Sequence, residues 1–195
     1  MAIVRVKNAR LAFPDLFDAV QFEGQGPFQY RAALLLAQKA VIEVQQLDGT
    51  WKPSTMDAVV QTVATEAWKA KAAEVLKSIA GVSQKMCWYD GSTKDYDGYA
   101  GNWVLSMTRG QDKGRPIVQG KDGGVVTQAD GVVYAGCFVN ATAELWAQDN
   151  KFGKAIRATL RAVRFHADGD AFAAGKPLSD DELGDLAAGA GADLI

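Results

Sequence analysis

Rings and guanidiniums are interleaved in residues 132–165, VVYAGCFVNATAELWAQDNKFGKAIRATLRAVRF. Read with period two, Tyr134, Phe138 and Trp146 share one strand face with Asn140, Thr142 and Glu144. After a turn around Asp149-Asn150 and Phe152-Gly153, a second strand would carry Arg157, Thr159 and Arg161 on one side. Flat rings stack on bases and guanidiniums neutralise phosphates, so the chemistry this pattern supports is non-covalent binding of nucleic acid. An ordinary solvated sheet whose rings lie under a loop gives the same pattern, exposed rings equally suit a structural or protein-interaction module, and the residues alone leave these readings open.

Other segments add candidates of the same kind. Arg5 and Lys7 alternate with Val4 and Val6 near the start of the chain. Trp88, Tyr89, Tyr96 and Tyr99 lie on or beside glycine-rich turns, where a ring can stand clear of the backbone, and at least two of them are expected at the surface. Residues 109–131 form a glycine- and charge-rich connection with Arg109, Lys113, Arg115 and Lys121, diluted by Asp112, Asp122 and Asp130. The expected binding set is therefore Arg5, Lys7, Trp88, Tyr96, Tyr99, Arg115, Lys121, Tyr134, Phe138, Trp146, Arg157 and Arg161.

Catalysis has much thinner support. His166 is the chain's one histidine, and neither a serine nor a cysteine stands at a spacing that would make it a base. The pairs Asp95/Asp97 and Asp168/Asp170 are the common furniture of turns, and the glycines of 24–28 and 120–124 lack phosphate-loop spacing. Cys87 and Cys137 have no metal-ligand spacing and are expected reduced and buried. No catalytic residue, metal site or cofactor is expected, and no stretch is apolar enough to span a membrane.

The net charge of −2 conceals two parts. Residues 1–166 hold 20 Lys+Arg and 16 Asp+Glu, a balance of +4, whereas 167–195 hold one Lys and seven acids, a balance of −6. A basic body with an acidic tail fits an anionic ligand, although a solubilising tail would look the same.

The elements that must position these side chains are mainly strands. Residues 2–13 read as a strand stopped by Pro14, residues 15–27 as a loop, and residues 28–37 as a second strand. Apolar residues from Met56 to Ile79 recur at helical spacing, which predicts one helix over 55–80 with Trp68 in the core and Gly81 as its stop. Ile117-Val118 and Val125-Val126 could form a short hairpin around Gly123-Gly124. The expected fold is mainly β: a single antiparallel barrel with one interposed α-helix over residues 1–176, then a flexible acidic tail over 177–195. A β-sandwich is the alternative.

The GRP at Gly114, the run YAGCFVNATAELWAQDN from Tyr134, the run FGKAIRATLRAVRF from Phe152 and the DGDAFAAG from Asp168 resemble phage-encoded single-stranded DNA-binding proteins of small lytic phages. The resemblance spans most of the chain. It implies an oligonucleotide/oligosaccharide-binding (OB) barrel interrupted by a helix, binding single strands without strong sequence preference in the cytoplasm of an infected bacterial host. It also implies an acidic tail that recruits a phage DNA polymerase, helicase or recombinase. Tails of that type commonly end in an aromatic residue, whereas this chain ends Asp193-Leu194-Ile195. Continuous coating of a strand by so small a domain favours a homodimer; the helix over 55–80 is a candidate contact element, although burial against its own barrel is the stronger interpretation.

Overall fold

The alternation in residues 139–145 sets the centre of the sheet: Val139, Ala141, Ala143 and Leu145 are buried, and Asn140, Thr142 and Glu144 are partly exposed between them. In the computed structural model, which describes residues 1–172 apart from Glu23 and Ser83, the strands are β1 (Ala2–Phe22), β2 (Gln25–Leu36), β3 (Ile42–Gln45), β4 (Trp51–Ser54), β5 (Trp88–Asp90), β6 (Trp103–Gly110), β7 (Ile117–Gln119), β8 (Phe138–Asn150) and β9 (Gly153–Ala167). Residues 177–195, expected as a tail, lie outside the described residues. Among the described residues the strands form one sheet in the order β2-β6-β9-β8-β1-β3-β4, with β5 on β6, β7 on β9 and β2 also paired with β1.

β8 and β9 form the long hairpin expected, paired from Phe138↔Ala167 to Asn150↔Gly153 across a two-residue turn. The ladder slips between Thr142↔Ala162 and Ala143↔Leu160, which leaves Arg161 as a bulge residue. The bulge switches which side of β9 is buried, from Ile156, Ala158 and Leu160 before it to Val163 after it.

The sheet is OB-fold-like in topology, but it does not close into the expected antiparallel barrel. β6 meets β9 at a single parallel pair, Thr108↔Thr159, β7 also runs parallel to β9, and the β3–β4 hairpin extends the sheet beyond β1. Period-two patterning specifies which face is buried, not which strand a neighbour will be, and β6 and β9 are too far apart in sequence for a turn to fix their direction. Pro14 does not end β1, because it sits in a register shift between Ala12↔Ala33 and Asp15↔Arg31, where a residue without a backbone donor leaves no ladder bond unmade. The loop expected over 15–27 is therefore mostly a continuation of the β1–β2 hairpin.

The helix forms as two segments. α1 (Met56–Trp68) is capped by Thr55, whose Oγ1 accepts a hydrogen bond from the Ala58 N–H at 3.3 Å. A turn of 3₁₀ helix over Lys69–Lys71, with Lys69 at φ 53°, then redirects the chain into α2 (Ala72–Ile79). Met56, Val59, Val63, Trp68, Ala72 and Ile79 face one core together with Leu145, Ile156 and Leu160. Cys87 and Cys137 are free and buried in that core, and burial pushes the Cys87 thiol up to about 12. Among the described residues no helix is long and apolar enough to cross a membrane.

Candidate nucleic-acid interface

The outward sides of β1, β8 and β9 form the floor of a groove made of three cavities that share residues. The first, about 710 Å³, lies between α1 and the sheet and is lined by Trp146, Thr159, Arg161, Arg109 and Lys113. The second, about 390 Å³, shares Arg109 and Arg161 with it and adds Arg5, Trp51, Arg115 and Thr142. The third, about 410 Å³, shares Arg5, Thr142 and Ala162 with the second and adds Lys7, Asn140, Gln119 and Arg164.

Charge is strongly one-sided along this path. Seven cationic residues line it, namely Arg5, Lys7, Arg109, Lys113, Arg115, Arg161 and Arg164, against two acids, Glu66 and Glu144. Glu144 approaches Arg161 only to 4.0 Å, so that pair leaves the guanidinium free to reach a ligand. Lys7 is held by Glu43 at 2.7 Å, an exposed pair that a phosphate can replace at little cost. Arg109 is different: its guanidinium donates to the carbonyls of Gly114 at 2.7 Å, Lys113 at 2.6 Å and Leu160 at 3.4 Å, which fixes the loop after β6 against β9.

Two indoles stand in the groove. Trp146 donates from Nε1 to Thr159 Oγ1 across the β8–β9 ladder at 3.1 Å, which sets its ring orientation. Trp51, at the start of β4, lies under the Arg5 guanidinium, whose carbon is 3.6 Å from the ring centroid. Trp51 carries no signal in the sequence, because its strand is four residues long and contains Pro53, so no alternation marks a face. Lys113, Arg109 and Arg164 also line the groove and lie outside the expected set.

The structure divides that expected set. Arg5, Lys7, Arg115, Trp146 and Arg161 come together in the groove. Arg157 pairs across from Trp146 but is engaged with Gln148 Oε1 at 3.2 Å, and it does not line the three cavities. Lys121 is exposed on the turn after β7, a turn that packs at Gly123 against Arg164 at the groove's far end.

Tyr134 and Phe138 lie elsewhere, because β8 starts only at Phe138, after Tyr134. Gly136, at φ 101°, brings the backbone so close to residues 170–172 that a Cβ would collide with the Asp170 carbonyl. The Phe172 N–H then donates to the Ala135 carbonyl at 3.0 Å, and the Tyr134 hydroxyl accepts from the Gly169 N–H at 3.1 Å. Phe138 packs by Gly169 and near Arg10, whose guanidinium also lies over Phe172 at 4.4 Å. These rings hold the segment after β9 in place.

The loop rings also divide. Trp88 is 3% exposed, its Nε1 donating to Asp57 Oδ1 at 2.8 Å, and Tyr99 is 2% exposed in a satellite core with Ala12, Ala33, Leu35 and Val104. Neither offers a free ring face, which corrects the expectation for both. Tyr96 is exposed, with Phe13 edge-on at 5.1 Å, and Tyr89 is partly buried. His166 is exposed, and the described residues contain no group of three or more potential metal ligands.

An OB-fold-like sheet bearing a cationic groove with two indoles defines a class of fold and surface. Residues 2–193 match the model of the family described as Enterobacter phage Enc34, ssDNA-binding protein, and the chain belongs to that family. Protein p50 of Acyrthosiphon pisum secondary endosymbiont phage 1 is 39% identical over 184 residues, which cover 94% of this chain and 93% of that one. The single-stranded DNA-binding protein of bacteriophage Enc34, solved in complex with ssDNA, is similar in fold with a TM-score of 0.60 at 22% identity, over 88% of this chain and 89% of that chain. Its C-terminal truncation gives a TM-score of 0.60 over 87% of this chain and 88% of that chain, again at 22% identity.

Proposed function

We propose that the groove binds single-stranded DNA without strong sequence preference, protecting and ordering strands during phage DNA replication or recombination. The observation that carries this reading is the continuous line of cations and indoles from Trp146 to Arg164 in a chain of this family. Arg5, Lys7, Lys113, Arg115, Arg161 and Arg164 act on phosphates, and Trp146 offers a ring to a base. Neither kind of contact reads a base edge, so sequence tolerance follows from the contact types. The work is binding, with no chemical step.

Residues 177–195, which carry five acids and no Lys or Arg, are proposed as the segment that engages a phage polymerase, helicase or recombinase. A homodimer acting in the cytoplasm of the infected host completes the proposal. Sedimentation with and without DNA tests the assembly, and monomer alone across micromolar concentrations rules it out.

Binding of a mixed-sequence oligonucleotide to the double variant Arg161→Glu/Arg164→Glu tests the groove. Both residues are exposed on β9, so the fold should persist. Affinity should fall on the order of tenfold per residue at moderate salt. Unchanged affinity in the folded variant would place the DNA elsewhere.

A further inference from the structure

Arg5 has an unusual position for a cation facing a groove. It lies directly across from Glu43 in the β1–β3 ladder, yet Glu43 is taken by Lys7, and no carboxylate of the described residues forms an ion pair with Arg5. Its guanidinium lies instead over Trp51, the central carbon 3.6 Å from the ring centroid, in the middle cavity of the three. A π face covered by a planar cation is shaped to receive another flat, stackable group, and an arginine without an acidic partner is free to meet a phosphate.

We propose that Arg5 is a placeholder on Trp51. When a single strand enters, the guanidinium leaves the ring for a phosphate and a base takes its place on the indole. The exchange makes Trp51, on the β3–β4 hairpin, a stacking position of the groove in addition to Trp146. It also favours single strands, because a base paired within a duplex has no free face to lay on the ring. This inference rests on the single-strand-binding reading of the groove.

The test compares the full chain with Trp51→Ala, Trp51→Phe and Arg5→Ala. Each binds a thymidine oligonucleotide and an abasic sugar-phosphate oligomer of equal length over a range of salt. Trp51→Ala should weaken binding of the thymidine strand by about 5- to 150-fold, the worth of one stacked base, while abasic binding and the salt slope stay as they were. Trp51→Phe should recover most of that loss. Arg5→Ala should keep the preference for thymidine over abasic strand and flatten the salt slope by about 0.7, the share of one phosphate on a single strand. An equal loss on both oligomers with Trp51→Ala, or no loss on either, overturns the stacking role. Loss of the thymidine preference in Arg5→Ala with an unchanged slope overturns the exchange, since Arg5 would then be stacking in the complex. A wild-type chain that binds neither oligomer overturns both the inference and the reading beneath it, whereas binding without the predicted variant pattern overturns only the inference.

Discussion

Arg109 and Arg161 line the same cavity, yet their partners assign them different work. Arg109 donates to three backbone carbonyls, of which the Leu160 contact is partly buried, and a typical hydrogen bond contributes about 0.5–1.5 kcal/mol net, so Arg109→Ala should lower the denaturant midpoint. Arg161 has only a loose acidic neighbour, and Arg161→Ala should leave stability within about 0.5 kcal/mol while weakening single-strand binding. Equilibrium unfolding and oligonucleotide titration of the two variants separate these outcomes.

Cys87 makes a prediction of another kind. Burial raises its thiol from 9.0 to about 12, so the folded chain holds that proton where the unfolded chain releases it. The resulting stabilisation is fully present below pH 9 and is lost progressively as pH rises toward the folded value of about 12. Burial raises the Tyr99 hydroxyl too, which acts in the same direction. Stability measured between pH 8 and pH 11 should fall, and Cys87→Ala should reduce the slope of that fall.

At the level of elements, the cap and the close approach after β9 are separable. Thr55→Ala removes the side-chain acceptor for the Ala58 N–H and should cost about 1 kcal/mol, read as a shift of the thermal midpoint with binding unchanged. Gly136→Ala is a harsher change, because it meets both a positive φ and the Asp170 carbonyl, and it should loosen residues 168–172. Proteolysis after β9 would report that loosening.

These elements also show how far the sequence could be read. The small apolar residues from Val139 to Leu145 made the inner face of β8 legible, and the helical spacing from Met56 to Ile79 placed the helical layer with Trp68 inside. The start of β8 was misplaced because the same alternation continues back through Val133 and Ala135, while Gly136 turns the chain out of the sheet. Alternation cannot register a single left-handed residue. The burial of Trp88 and Tyr99 runs against their neighbouring glycines, which suggest exposure, because large rings gain more by burial, here with Asp57 and the satellite core as their partners. Trp51 carried no periodic signal, and only the approach of β4 and β3 to β1 brings it to Arg5.

For the whole molecule, the charge balance is +4 over 1–166 and −6 over 167–195, and under the tail proposal the chain's own acidic end competes with a bound strand for the same cations. The tail proposal gives a definite expectation. Removal of residues 179–195 should leave the fold intact, tighten single-strand binding at low salt, and make little difference at high salt, where the competition is screened. Equal low-salt affinities for the full and shortened chains would remove the competitive role, and unchanged polymerase or recombinase binding would remove the recruiting one.

The groove is proposed to take a single strand through its phosphates and bases. The most direct measurement is the binding constant of the full chain for a mixed-sequence single strand, taken beside the matching duplex across a series of salt concentrations. Six lining cations other than Arg109 are available to phosphates, and each contributes about −0.7 to the slope of log K against log salt, so the expected slope is about −4 with the single strand bound more tightly than the duplex. A slope near zero, or a duplex bound as tightly as the single strand at every salt concentration, would contradict it.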